Sequence, residues 1–169
     1  MSGARGFCAG MEPFLRRAWA FERRITCALS GAETRVAGAA TWAPLGAHAL
    51  AQTEEGVLTF PDARAPLHVR AAYTWHWGAG EVAAGAGAAG AGAAGGAAGA
   101  AQVRFPDGRA FVEVDDFVAA RGAARVAHAC APDAYSGLFQ FISDDRFSVE
   151  WTVSGPHKRY VSLTHYSAA

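Results

Sequence analysis

The octapeptide HACAPDAY, His128 to Tyr135, places an imidazole, a thiol, a carboxyl and a phenol close together in the chain. On a strand, residues two apart point to the same face, so His128 and Cys130 share one face. If that face points into the domain, both side chains line its interior. Asp133 follows Pro132, where its carboxylate can accept backbone hydrogen bonds in an Asx turn.

Metal binding and covalent catalysis are two chemistries that a histidine and a cysteine can support. Zinc takes three or four protein ligands, whereas this stretch supplies His128 and Cys130, and the sequence has no C-x2-C pair. A Cys130 nucleophile with His128 as its base lacks a recognisable oxyanion donor. We therefore predict no metal site, and we interpret the two residues first as a hydrogen-bonded histidine and a small core thiol.

Haem is a further group that a β-barrel can hold through one neutral histidine. The candidates are His76, His128 and His165, and no motif selects one of them. We predict no cofactor, with haem and a metal ion as the alternatives.

Basic side chains near turns could meet an anionic ligand. Arg109 follows the turn PDGR and Lys158 lies in the turn GPHKRY, where each could clamp a carboxylate or phosphate. The simpler interpretation of Arg109 is a solvated ion pair, for example with Glu113. Arg24 and Arg70 are further candidates for an inward position, because a cation over an aromatic ring gains about 1 kcal/mol or more.

Short segments with period-two alternation and many β-branched or aromatic residues position these side chains. In LHVRAAYTWHW, residues 67–77, one face carries Val69, Ala71, Tyr73, Trp75 and Trp77. The Asp-Gly turn at 106–109 predicts a hairpin. A proline near the start of EPFLRRAWAFERRI predicts one or two helical turns there. The other predicted strands are 34–42, 48–60 (two strands broken near Glu55-Gly56, or one with a bulge), 110–118, 124–131, 134–142, 146–154 and 159–167.

The last predicted strand has two different faces, and alternation alone does not decide which one is inside. An inward row of hydroxyls would be an unusually polar lining, since unpaired buried polar groups cost about 1–3 kcal/mol each. The first face carries Lys158, Tyr160, Ser162, Thr164 and Tyr166, and the second carries Arg159, Val161, Leu163 and His165.

Residues 83–101 are nineteen consecutive Ala or Gly residues. Ordering so many glycines costs backbone entropy, and the segment has no large side chain to pack, so we predict a disordered insertion at a hairpin tip. We also predict a flexible N terminus over residues 1–12 and a single domain over residues 13–167.

Composition excludes several classes of protein. Fifteen Lys and Arg residues balance fifteen Asp and Glu residues, so no basic stripe for nucleic acid is present. We see no apolar run of transmembrane type and no apolar core of a signal peptide near the start. Three cysteines are too few for a disulfide framework, and reduced thiols indicate a cytoplasmic protein, with an organellar one as the alternative.

Eight to ten short antiparallel strands with little helix predict an all-β fold, a single antiparallel barrel of calycin or lipocalin type. Closure removes the exposed sheet edges, and a barrel of this size leaves room for one small ligand.

Spaced motifs along the chain support this fold. They are FLxxxWxFxRxI (14–25), EEGxL (54–58), AxYxW (71–75), FxDGRxF (105–111), HxCxxDxY (128–135), FxF (139–141), WxVxGPxKxY (151–160) and TxY (164–166). In order and spacing they resemble the family known as domain of unknown function 6314. The resemblance implies a compact domain and brings no activity with it. Arg17, His157 and the Ala/Gly run depart from the family's pattern.

Our leading hypothesis is that the barrel binds a small amphipathic or anionic molecule in its interior, with no nucleic-acid or membrane partner. Aromatic residues would bury the apolar part, and Arg109 or Lys158 would meet a carboxylate or phosphate. One alternative is an enzyme that uses His128 as general acid or base, oriented by Tyr135 or Asp133. Another is a scaffold whose barrel is filled, with any pocket below about 300 Å³. The predicted lining is Tyr73, Trp75, Arg109, His128, Cys130, Tyr135, Trp151, Lys158 and Tyr160.

Overall fold

The computed structural model describes residues 10–62, 64–78 and 99–169. A short helix, α1, precedes ten strands in this part of the chain. The predicted all-β antiparallel barrel with a short N-terminal helix is confirmed. The elements are α1 Met11–Leu15, β1 Ala18–Cys27, β2 Glu33–Gly46, β3 Ala49–Thr59, β4 Leu67–Trp77, β5 Ala101–Arg104, β6 Ala110–Val114, β7 Ala123–Cys130, β8 Asp133–Ser143, β9 Arg146–Ser154 and β10 Arg159–Ala168.

The strands form one sheet in the order β6-β5-β4-β3-β2-β1-β10-β9-β8-β7. The pairing of β1 with β10 joins the two halves of the sheet, which otherwise pairs strands in chain order. β6 and β7 are the two edges of the described sheet and lie side by side, so the barrel is nearly closed. Phe111 of β6 spans this seam, because its ring centre lies 5.0 Å from that of His128 on β7 and 5.2 Å from that of Trp151 on β9.

Alternation along β1 separates the inside of the barrel from the outside. Trp19 and Phe21 are buried, while Ala18, Ala20 and Glu22 between and beside them are exposed. The same period of two follows from the pleat of any strand with one face on the core. β4 occupies the predicted residues 67–77, and the predicted aromatic face is the inner one, with Trp75 buried.

One end of the barrel is plugged. Phe14 of α1 is fully buried, with its ring centre 4.9 Å from that of Trp19 and 5.7 Å from that of Phe147. Phe117, in the connection from β6 to β7, closes the same end and lies 6.0 Å from Phe147. The backbone N–H of Met11 donates to Asp116 of that connection at 3.1 Å, which ties α1 to the plug.

The opposite end is the mouth, formed by the connections β1–β2, β3–β4, β5–β6, β7–β8 and β9–β10. Antiparallel pairing puts the connections β2–β3, β6–β7 and β8–β9 at the plugged end, where β4 also finishes and β5 begins. Most of the predicted disordered insertion, 83–98, and residues 1–9 of the predicted flexible N terminus lie outside the described residues. Ala101, the last residue of the insertion, is buried and begins β5, and Met11 is buried in α1. No helix in the described ranges has the length and hydropathy of a membrane span.

Two glycines allow β2 and β3 to approach each other closely. Gly38 and Gly56 are partners in the ladder, and a Cβ on Gly38 would lie 2.0 Å from the carbonyl oxygen of Glu55. β3 therefore continues without a break through Gly56, and the irregularity in this pair of strands lies between Pro44 and Gly46. Of the two alternatives for 48–60, the pair of strands broken at Glu55-Gly56 was wrong.

We expect Gly38→Ala to destabilise the protein by about 1–3 kcal/mol, because the added methyl group forces two backbones apart. Gly46→Ala is the matched control in the same strand, where an added Cβ meets nothing within 4 Å. That change should alter the free energy of unfolding by less than about 0.5 kcal/mol. Urea unfolding curves of the two variants test this, and equal midpoints would contradict the close approach.

Candidate ligand-binding site

A cavity of about 320 Å³ lies inside the barrel. It extends from Tyr135 and Tyr160 on the mouth side to Trp42 and Phe147 on the side of the plug. Its wall is mainly aromatic, with Trp75, Phe111, Phe139 and Trp151 among the lining residues. The cavity is therefore shaped for a flat apolar body.

Trp151 enters the wall because its neighbour on β8 is a glycine. Gly137 pairs with Trp151, and a Cβ on Gly137 would lie 2.8 Å from the indole ring. The indole then stacks on Phe111 across the seam, with ring planes 30° apart.

The face of β10 that carries hydroxyl groups is the inner one. Tyr160, Ser162, Thr164 and Tyr166 all line the cavity. Arg159, Val161 and His165 alternate with them and are exposed. The interior is thus polar along one strand and aromatic elsewhere.

Five of the nine predicted site residues lie on the cavity wall. The other four, Arg109, His128, Cys130 and Lys158, are not part of it. The five on the wall are Tyr73, Trp75, Tyr135, Trp151 and Tyr160.

His128 and Cys130 share the inner face of β7, as the alternation predicted. Ala124 and Val126 of the same face are buried, while Ala127 on the opposite face is exposed. The imidazole of His128 is partly buried and contacts Phe111 and Tyr135, whose ring centres lie 5.0 Å and 6.1 Å away. Cys130, at the end of β7, is exposed.

The two cations predicted to meet an anion each have a carboxylate partner. Arg109 donates from Nε to Asp107 at 2.7 Å and is 76% exposed in the turn between β5 and β6. Lys158 lies 2.7 Å from Asp133 and donates to the hydroxyl of Tyr135 at 2.9 Å. The bond with Asp133, and after it the bond with Tyr135, raises the pKa of the Lys158 amine. Lys158 thus joins the turn β9–β10 to the start of β8.

Arg24 and Arg70, which were further candidates for an inward position, point outward. Arg24 is 56% exposed and lies 3.8 Å from Glu33, and Arg70 lies 3.4 Å from Glu55 on the outer face. The inward arginine is Arg23. The signal for it is present in the sequence, because Arg23 continues the period of two that Trp19 and Phe21 begin.

Arg23 forms an ion pair inside the barrel. Its Nη2 lies 2.6 Å from Oε2 of Glu54 on β3, whose side chain is only 5% exposed. Its Nε donates to Oγ1 of Thr164 at 2.7 Å. Burial lowers the pKa of Arg23, but Tyr166 and Glu54 raise it by more, so the guanidinium remains charged. The pair makes this part of the cavity polar with no net charge.

Two neutral side chains complete the bonding of Glu54, and a third is bonded to one of them. Its Oε1 accepts hydrogen bonds from the hydroxyl of Tyr166 and from Nε2 of Gln52, the latter at 3.1 Å. Oε1 of Gln52 in turn accepts from the indole N–H of Trp75 at 2.7 Å. A buried carboxylate is stable only with such a full set of donors. We refer to Arg23, Gln52, Glu54, Thr164, Tyr166 and Trp75 as the inner network.

Burial also affects the tyrosines. It raises the pKa of Tyr166 well above the ordinary value, and Glu54 raises it further. Burial raises the pKa values of Tyr73 and Tyr160 too, with a second contribution from Glu54 for Tyr73 and from Tyr135 for Tyr160. All three phenols are therefore protonated near neutral pH and can donate hydrogen bonds.

Among the described residues, no group of three or more His, Cys, Asp and Glu side chains is placed to hold a metal ion. Of the three histidines considered for haem, only His128 is on an inner face. His165 is exposed on the outer face of β10, and His76 is on the face of β4 opposite to Trp75. Asp133, predicted to orient His128, is instead bonded to Lys158.

Comparisons with known proteins agree with this architecture. The model of the family of unknown function DUF6314 matches residues 15–86 and 94–168, which confirms the resemblance seen in the motifs. No curated protein matches the sequence. Among solved structures, the S-type phycobiliprotein lyase CPES from Guillardia theta superposes with a TM-score of 0.62 at 10% identity, covering 94% of this chain and 91% of that chain. At this identity the likeness concerns the fold.

We expect Glu54→Gln to destabilise the protein by about 3 kcal/mol, because it leaves Arg23 without its counter-charge inside the barrel. Glu55→Gln is the matched control one residue away, since Glu55 is 68% exposed and pairs with Arg70 on the surface. It should cost less than about 1 kcal/mol. Chemical unfolding at neutral pH measures the free energy of unfolding of both variants. Similar decreases would show that the buried ion pair contributes no more to stability than the surface pair.

Stability should fall at alkaline pH because of Tyr166. Its pKa is raised in the folded state. Below about pH 10, folded and unfolded chains both keep this phenol protonated, and its contribution to stability is complete. Above that pH the unfolded chain loses the proton first, so stability decreases as pH rises further.

Ultraviolet titration of the phenolate band measures this directly. Of the four tyrosines in the chain, at least one should ionise only as the protein unfolds. Tyr166→Phe should remove that late component, and four tyrosines that all ionise near pH 10 in folded protein would contradict the prediction.

Proposed function

We infer that this chain, which belongs to the DUF6314 family of unknown function, binds a small amphipathic molecule inside its barrel. The observation that carries the proposal is the cavity of about 320 Å³, which an aromatic wall and the inner network enclose together. Its volume exceeds the lower limit of about 300 Å³ for ligand sites. A scaffold role would instead favour side chains that fill the interior.

The charges favour an amphipathic ligand over an anionic one. Lys158 and Arg109, the two cations predicted to meet an anion, already have Asp133 and Asp107 as partners. Arg23 is likewise paired with Glu54. A second anion at any of these positions would compete with a carboxylate that is held in place. The apolar surface of a ligand, in contrast, gains free energy from every aromatic face that it covers.

The solved structure with a similar fold supports a role in handling another molecule. That protein is a phycobiliprotein lyase, and its barrel resembles this one over nearly the whole of both chains. The fold can therefore serve a protein that acts on a substrate. Catalysis by His128 has no comparable support here, since its ring contacts are aromatic and Asp133 bonds to Lys158.

Filling the cavity should abolish binding. Ser162 is buried and lines the cavity, so Ser162→Phe places a ring inside it. Ser167→Phe is the matched control, because Ser167 is exposed on the outer face of the same strand. The probe is N-phenyl-1-naphthylamine, a flat uncharged dye that fluoresces in apolar surroundings and accepts energy from tryptophan.

We expect the unmodified protein and Ser167→Phe to bind the dye with similar affinity, and Ser162→Phe to bind it at least tenfold more weakly, a change of about 1.4 kcal/mol. Circular dichroism shows whether each variant is folded. Native mass spectrometry of the protein from its own cells, with a bound mass that is lost in Ser162→Phe, would extend the result to the natural ligand. Equal dye binding by both variants would overturn the proposal.

A further inference from the structure

The geometry points to a ligand class for this cavity: a flat, uncharged carbonyl compound with a hydrogen-bond acceptor at each end. This inference rests on the proposed function. It comes from the hydrogen-bonding groups of the cavity that the protein leaves free.

The strong acceptors of the inner network are already occupied. Both carboxylate oxygens of Glu54 accept bonds from protein donors, Oε1 from two and Oε2 from one. Oε1 of Gln52 accepts from Trp75, and Oγ1 of Thr164 accepts from Arg23. A ligand donor that entered here would have to share an oxygen that already accepts a bond from the protein.

Donors, in contrast, remain available at the inner end. Arg23 uses Nε and Nη2 in its bonds with Thr164, Glu54 and Tyr166, and no described residue accepts from its Nη1. Among the described residues, the buried side-chain polar atoms that lack a partner are the indole nitrogens of Trp42 and Trp77. Nη1 is therefore not sealed in the core, and because Arg23 lines the cavity, we assign its remaining N–H groups as the donors to a ligand at this end.

The mouth end also carries free donors. The hydroxyl of Tyr135 accepts from Lys158, which leaves its own hydrogen for another acceptor. Tyr160 also lines the cavity, and its hydroxyl has no acceptor in the described part of the chain. Tyr73 also lines the cavity, where it is the ladder partner of Gln52 on β3.

The two sets of donors are separated along the strands. Arg23 and Cys27, the ladder partner of Tyr160, are four residues apart on β1, which corresponds to about 13 Å. Aromatic side chains occupy the wall between them. A ligand that satisfies both ends is thus elongated and flat, with an acceptor at each end.

Charge decides which acceptor is suitable. The ion pair of Arg23 with Glu54 and that of Lys158 with Asp133 are each neutral as a unit. Carboxylates of a ligand would be desolvated next to Glu54 and Asp133, and the adjacent cations, Arg23 and Lys158, are already paired with those two residues. Carbonyl oxygens accept hydrogen bonds without that electrostatic cost.

A series of probes with the same shape tests the inference. The probes are 2,6-diacetylnaphthalene, 2-acetylnaphthalene, 2,6-diethylnaphthalene and naphthalene-2,6-dicarboxylate, each in competition with N-phenyl-1-naphthylamine. We expect the diketone to bind at least tenfold more tightly than the diethyl compound, with the monoketone between them and the dicarboxylate weakest. Tyr160→Phe should weaken the diketone about fivefold, the effect of one hydrogen bond, and leave the diethyl compound unchanged.

The outcomes separate the two proposals. If the dye and the diethyl compound bind but the diketone binds no more tightly, the carbonyl class is overturned and ligand binding stands. A dicarboxylate that binds more tightly than the diketone overturns the uncharged class. If neither the dye nor any of the naphthalenes binds, the proposed function fails, and the ligand class fails with it.

Discussion

The ion pair between Arg23 and Glu54 constrains the interior more than any other contact. Two charges leave bulk water when the barrel forms, and only close pairing with further hydrogen bonds offsets that cost. Thr164 supplies an acceptor for the guanidinium, and Gln52 and Tyr166 supply donors for the carboxylate. Apolar side chains alone therefore cannot fill the interior at this level. The polar groups of the ion pair and its partners line the cavity there.

The sheet closes into a barrel around this layer of polar side chains. The sheet closes by hydrogen bonds at β1 and β10, the strands that supply Arg23, Thr164 and Tyr166. At the opposite seam, between β6 and β7, closure depends on side chains, with Phe111 in contact with His128 and Trp151. The hydrogen-bonded side of the barrel thus holds the charges, and the seam holds aromatic rings. Backbone hydrogen bonds therefore close the barrel beside the charged residues, and ring contacts close it beside the aromatic residues.

The fold was predictable because the pleat of a strand produces a period of two in its sequence. β4 begins and ends where the alternation does, and its aromatic face is inside. Alternation distinguishes two faces but does not choose between them, and for β10 the choice depends on pairing with β1. Where a buried aromatic pair marks the face, as Trp19 and Phe21 do in β1, Arg23 follows by counting in twos. By the same count Arg24, a candidate for an inward position, is on the opposite face.

The candidate site was harder to predict because its partners are distant in sequence. Glu54 is 31 residues from Arg23, and Tyr135 is 23 residues from Lys158. Only the register of the barrel brings such residues together, and the register depends on every strand between them. A lysine or arginine in a turn therefore looks available for a ligand in the sequence, when the fold has already given it a carboxylate. The aromatic residues avoid this problem, since a ring on an inner face needs no specific partner to line a cavity.

The division of the barrel into a plugged end and a mouth assigns different roles to the connections. Phe14 and Phe117 pack into the end at which β4 finishes and β5 begins, so aromatic rings seal the cavity at this end. The mouth is held instead by Lys158, which bonds to both Asp133 and Tyr135 and so links two hairpins at the rim. At the mouth, a change in either hairpin alters the position of Tyr135 and with it the shape of the cavity.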